Sequence, residues 1–252
     1  MRKTVAGYLV HSITAFGAIA GLISLERFIN GDIRGGLLWL VICQLIDGFD
    51  GPIARKIDIH LHATRFDGHI LDLVVDYVTC VMVPVAMLVR LDLVESRYSF
   101  LYASLIIFTG ALWFARTDQE TEDHWFNGFP AAWNLVIPTF IILDTNPKLV
   151  EILIILLCVL TLTQLKFPHM VKVEFMRSTT WTLAIIYFVA LTWLSVEYPT
   201  GPDNLKPVLA IFPIYIFAIS IYHSWKVRNL SVSSANDLFL LNRTFPAIRG
   251  RN

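Results

Sequence analysis

Charge is scarce in this chain. Only 16% of its 252 residues are Asp, Glu, Lys or Arg, against the roughly 25% of an ordinary soluble domain. The twenty acidic and twenty basic residues cancel, so nothing in the net charge points to nucleic acid as a partner. Cysteine is almost as rare. Cys43, Cys80 and Cys158 share no CxxC spacing and each falls inside an apolar run, which excludes a disulfide framework and a thiolate metal site and leaves them as small packed hydrophobes. Long polar linkers, low-complexity tracts and internal repeats are also missing, so a single membrane-embedded domain is expected. A basic "MRK" start followed by apolar residues imitates a secretory signal. The apolar segment, however, runs on to Ile29, longer than a signal core, and seven more spans follow.

What is abundant is hydrocarbon: 56% of residues are hydrophobic and the mean hydropathy is +0.61. That is the profile of a polytopic membrane protein. Apolar runs bounded by charge, Pro or Gly predict an all-α fold with about eight transmembrane helices, near 6–28, 35–47, 69–90, 98–115, 130–144, 148–165, 178–196 and 206–224. The second run, "GGLLWLVICQLI", is too short to cross alone at about 1.5 Å per residue, so its helix must continue into "DGFD". Fourteen of the twenty Lys and Arg fall in one set of alternate loops if the N-terminus is cytoplasmic. The excess places both termini inside. Residues 1–228 are then expected to form the membrane domain and 229–252 a basic cytoplasmic tail, whose positive charge suits retention on that side rather than headgroup recognition.

Against this background four aspartates stand out. Asp47 and Asp50 are three apart and Asp72 and Asp76 four apart, so each pair projects from one face of its own helix. The topology brings both helix ends to the cytoplasmic side, where four carboxylates converge. Carboxylates at close range repel unless protons or cations intervene, and oxygen-only sites suit Mg²⁺ or Mn²⁺ rather than Zn²⁺. Two such ions are expected, and with them transfer at phosphorus. Gly51, Ala54 and Gly68 are small enough to let a bulky ligand approach the backbone, and Arg55 can pair with phosphate oxygens. The same acids also fit a proton relay or the cation path of a transporter, a reading that accounts for neither the spacing nor the small neighbours.

The run Asp47-Gly-Phe-Asp50-Gly51-Pro-Ile-Ala54-Arg55, followed by Gly68-His-Ile-Leu-Asp72-Leu-Val-Val-Asp76, resembles the signature of the CDP-alcohol phosphotransferases, D-x-x-D-G-x-x-A-R, a spacer, then G-x-x-x-D-x-x-x-D. A looser likeness lies in the first span. Thr14, Gly17 and Gly21 match the family's P-N-x-x-T-x-x-G-x-x-x-G, while His11 stands where Asn is usual. The spacer of twelve residues, Lys56 to Asp67, is longer than most of the family carry. Together with eight spans it is similar to the bacterial phosphatidylcholine synthase branch, which joins CDP-diacylglycerol directly to choline.

The resemblance implies a division of labour. Asp47, Asp50, Asp72 and Asp76 bind a two-ion site of Mn²⁺ or Mg²⁺, and Asp76 also serves as catalytic base. Thr14, Gly51, Ala54, Arg55 and Gly68 bind the CDP-lipid. The products are phosphatidylcholine and CMP, by direct displacement in the bacterial inner membrane, with a homodimer possible as in relatives. Another alcohol, such as serine, inositol or glycerol phosphate, is the alternative acceptor. A carboxylate-lined cation transporter is the alternative from a different class.

Choline's ammonium carries no donor, so aromatic faces and carboxylates must hold it. The loop "RTDQETEDHWFNGFPAAWN" supplies both, and Glu122, Asp123, Trp125 and Trp133 are its favoured members. An acidic loop next to an interfacial aromatic belt has the same composition, so both readings stay open here. His60, His62 and His69 lack cysteine partners and make a poor zinc site beside the oxygen cluster. Lys172 and Arg177 read as interfacial anchors, with contact to lipid phosphate as the alternative.

Overall fold

The computed structural model describes residues 2–56, 65–170 and 172–244. Among the described residues eight main helices follow one another: α1 (Arg2–Ile29), α2 (Ile33–Lys56), α3 (Gly68–Arg90), α4 (Ser99–Phe114), α5 (Trp133–Ile142), α6 (Pro147–Thr161), α7 (Arg177–Val196) and α8 (Lys206–Thr244). Each overlaps one predicted run, with α5 and α6 shorter than expected and α8 running well past the expected end at 224. The predicted 35–47 helix does continue through the aspartate segment, reaching Lys56 as a single element.

Six of these helical segments are long and apolar enough to cross a bilayer. The other two, α5 and α6, have 10 and 15 residues and fall short of the roughly 20 a lone crossing needs. The molecule turns its hydrocarbon outward. Phe100 is 81% exposed, Ile214 68% and Leu22 64%, and α6 presents Ile152, Ile155, Leu156 and Val159 in the same way. Such a surface belongs in lipid.

Antiparallel α1 and α2 are joined by a tight turn at Asn30–Asp32, where Asp32 Oδ1 accepts from Gly35 N at 2.8 Å and caps α2. Ser24 Oγ donates to Gly36 O across the pair at 2.7 Å. At the same end of the bundle Lys148 joins Glu95 and Glu151 at 2.9 and 3.1 Å, tying the α3–α4 connection to the start of α6. The opposite end carries a feature that the all-α expectation did not contain. Trp125–Asn127 (β1) pairs antiparallel with Lys166–Pro168 (β2), Phe126 opposite Phe167.

That ribbon is anchored by specific bonds. Arg116 forms two 2.9 Å hydrogen bonds to Asp118 and donates to the carbonyls of Thr161 and Thr163 at 3.3 and 3.0 Å, neutralising the orphan end of α6. Trp113 Nε1 donates to Asn127 O at 3.2 Å. Gly128, at φ +84°, passes so close to the α6 terminus that a Cβ would overlap the Thr161 carbonyl oxygen, so only glycine fits. The α8 helix runs beyond residue 228 to Thr244. Residues 245–252 lie outside the described residues.

Candidate active site

Two glycines of α1 set the geometry. A Cβ at Gly17 would come within 2.9 Å of Val75 Cγ1, and one at Gly21 within 3.2 Å of Thr79 Cγ2. Spaced four apart, they let α1 lie close against α3. Thr14, one turn earlier, is thereby brought onto the cleft between α1, α2 and α3.

Asp47 from α2 meets Asp72 and Asp76 from α3 in that cleft, with one carboxylate oxygen from each within 4.8 Å of the others. Asp47 is exposed and the other two are half-buried. Gly17, Cys43, Ile46, Val75 and Thr79 complete the walls of a narrow cavity of about 10 Å³. The expected convergence of α2 and α3 carboxylates is therefore present for three of the four. Asp50 lies on α2, but its side chain is outside the described residues, as are His60 and His62. Immediately after Asp76 the backbone widens to a π-helix, Tyr77–Met82, where Val83 N reaches back five residues to Val78 O. Pro84 explains the change, because it has no N–H to give the Cys80 carbonyl and the normal ladder cannot continue.

His11, which departs from the family pattern, is buried at 7% exposure. Its ring packs edge-on against Phe66 with centroids 6.2 Å apart. A Cβ at Gly68 would come within 2.9 Å of His11 Cε1, so Gly68 makes room for this imidazole. Asp67 caps the same helix start, accepting from His69 N and Ile70 N at 2.9 and 3.1 Å. Of the other expected CDP-lipid residues, Gly51 and Ala54 are half-buried and Arg55 is exposed on the last turn of α2. A Cβ at Gly51 would lie 3.3 Å from an Arg55 guanidinium nitrogen, so the two occupy one patch.

Gln44 joins the cleft to the start of α5. One turn before Asp47, its Nε2 donates to Asn134 O at 2.6 Å, while its Oε1 is buried without a protein partner. This bond puts the start of α5 beside the aspartates. Sequence reasoning had no signal for it, since a lone glutamine in a span carries no motif.

The four residues favoured for choline have different surroundings. Glu122 and Asp123 are exposed. Trp125 is 1% exposed, stacked at 3.8 Å between centroids under His223, which in turn lies 3.5 Å from Asp123. Trp133 is fully buried against Phe129, and its indole Nε1 has no protein partner. The sequence pattern missed His223 and Phe175, which close over Trp125 from elements far along the chain. Lys172 is paired with Glu120 at 2.9 Å. Burial alone would raise the Glu120 carboxyl, but Lys172 and His124 hold it below its ordinary range. His169, stacked on Phe126, is pushed down to about 4 by burial, with the Lys172 charge adding to the effect.

With this arrangement in hand, comparison with known proteins is informative. Residues 8–192 match the model of the CDP-alcohol phosphatidyltransferase family. The chain is 31% identical to a phosphatidylcholine synthase of Pseudomonas aeruginosa, over 85% of this chain and 90% of that one. It is 31% identical to one of Borreliella burgdorferi (89% and 97%) and 35% identical to one of Bradyrhizobium diazoefficiens (82% and 78%). The matched region contains all eight signature positions and the three converging aspartates. The chain belongs to the CDP-alcohol phosphatidyltransferase family.

Proposed function

We propose that this enzyme is a phosphatidylcholine synthase, transferring the phosphatidyl group of CDP-diacylglycerol to choline and releasing CMP. The observation that carries the proposal is the meeting of Asp47, Asp72 and Asp76 between α2 and α3, in a chain similar over most of its length to phosphatidylcholine synthases.

The donor set fits a hard divalent ion. All three groups offer carboxylate oxygens, and oxygens sharing one Mg²⁺ at roughly 2.1 Å stand at most about 4.2 Å apart, close to the 4.8 Å within which these three lie. Asp47, Asp72 and Asp76, with Asp50, are assigned as ligands of two Mn²⁺ or Mg²⁺ ions. When bound, these ions polarise the diphosphate and offset the charge that builds on CMP as it leaves.

The chain's own groups do the rest. Asp76 accepts the choline hydroxyl proton while the choline oxygen bonds to the lipid-linked phosphorus and the bond from that phosphorus to the CMP oxygen breaks. Thr14 and the small residues Gly51, Ala54 and Gly68 admit the nucleotide, and Arg55 pairs with its phosphates. Glu122, Asp123, Trp125 and Trp133 are assigned to the choline ammonium. Their support is position, since Trp133 adjoins Asn134 and hence Gln44 and the cleft, and the acidic pair faces solvent at the ribbon. An acidic approach suits a cation better than glycerol phosphate.

The proposed setting is a bacterial inner membrane crossed by several of the helices, with both termini, the active site and a basic tail after residue 228 in the cytoplasm, and two copies able to pair. The asymmetry of Lys and Arg among alternate loops supports the orientation. Purified enzyme with CDP-diacylglycerol, Mn²⁺ and either choline, serine, inositol or glycerol phosphate provides the test. CMP release dependent on choline supports the assignment, and release with another alcohol but not choline overturns it.

A further inference from the structure

A second cavity lies away from the aspartates, between α5, α6, α7, α8 and the ribbon. Its volume is about 180 Å³, against about 10 Å³ for the aspartate cleft, and it is partly open to the molecular surface. The walls are almost wholly carbon: Phe129, Leu153, Leu157, Phe167 and Phe212 are representative. Two hydroxyls, those of Thr139 and Tyr187, are the exceptions, and they satisfy each other at 2.9 Å while Tyr187 also donates to Leu135 O at 3.3 Å. Almost no polar surface is left for a ligand to bond.

Such a space rejects water, choline and nucleotide alike. An apolar cavity of about 150 Å³ stays dry and takes up benzene, so a larger one with a mouth admits a length of hydrocarbon. The cavity also has a place relative to the chemistry. Its α5 wall begins at Leu135, the residue after Asn134, whose carbonyl holds Gln44 one turn before Asp47. Its far wall is formed by α8, with Pro213 and Ile216, beyond residue 192 where the family match ends.

From these observations we infer that the cavity holds one acyl chain of the CDP-diacylglycerol substrate, an inference that rests on the lipid substrate proposed above. Its hydrocarbon enters between α5 and α8 while the diphosphate lies at the aspartates.

The experiment compares dioleoyl with dioctanoyl CDP-diacylglycerol in wild-type enzyme and in Val136→Trp and Leu153→Phe, both of which fill the cavity. KM for the dioleoyl lipid should rise about tenfold, with the dioctanoyl KM and the choline KM unchanged. Equal effects on both lipids, or none, overturn the inference. In parallel, CDP-diacylglycerol bearing a diazirine on one acyl chain should label the peptide containing Leu135 and Val136 in wild-type protein, less so in Val136→Trp. Equal labelling by a diazirine phosphatidylglycerol would assign the cavity to bulk membrane lipid and overturn the substrate assignment. Labelling does not require turnover, so it decides the matter even where choline proves not to be the acceptor. Failure with choline alone removes the choline reading and leaves the cavity's occupant standing.

Discussion

Asp47, Asp72 and Asp76 share one small cleft, and on the proposed function a bound divalent ion there offsets their mutual repulsion. Asp72→Ala or Asp76→Asn should lower CMP release by roughly 100-fold or more, in protein that still purifies as wild type; full activity in either would remove their assigned roles. These residues were legible in the sequence, because i,i+3 and i,i+4 carboxylates announce helix faces wherever they occur. Gly68 was legible as a residue that must be small. The neighbour that requires it, His11, was not, since the two are 57 positions apart on different helices. Gly68→Ala should cost about 1–3 kcal/mol of stability through overpacking against the imidazole. His11→Ala in the same chain should recover much of that loss. A double-mutant cycle on thermal unfolding in detergent checks it, and additive effects would mean the two do not touch.

At the scale of elements, the helices followed from run length, but their ends did not always follow from charge, since α2 and α8 run on past the charged residues expected to stop them. The β1–β2 ribbon escaped because each strand has three residues, too few for a period-two pattern, and its pairing joins loops about forty residues apart. The chemistry that locates it is backbone chemistry. Gly128→Ala should destabilise the protein by about 3 kcal/mol or more, because the strained φ and a collision with fixed carbonyls of α6 act together; an unchanged melting temperature would contradict that account. The ribbon also carries a pH dependence. His169 is held neutral, with a folded value near 4 against an ordinary 6.5, so the unfolded chain binds the extra proton between these values. Its contribution to stability is complete above about pH 6.5 and fades as pH falls toward 4. Glu120, depressed by Lys172 and His124, loses its share below its ordinary 4.5. Melting temperatures from pH 7 to 4.5 should fall less steeply in His169→Phe, which keeps the stack on Phe126 and removes the titration.

For the whole molecule, composition alone identified a helical membrane protein, and all eight predicted runs became helices. Length distinguishes them: α5 and α6 are short, and between them and α7 and α8 lies the apolar cavity. No periodicity in a uniformly apolar chain reveals such a space, because lipid-facing and cavity-facing positions are filled by the same residues. The arrangement joins an oxygen-rich cleft to a carbon-lined chamber through the Gln44–Asn134 bond, a layout suited to a substrate that is a diphosphate at one end and hydrocarbon at the other. The most direct measurement of the central claim is CMP release by purified enzyme in vesicles containing CDP-diacylglycerol, with choline and Mn²⁺ or Mg²⁺, followed by removal of the metal with a chelator. The account predicts release that needs choline, stops on chelation, returns when the divalent ion is restored, and is matched by equimolar phosphatidylcholine. Release that persists without choline, or that is indifferent to the chelator, would contradict it.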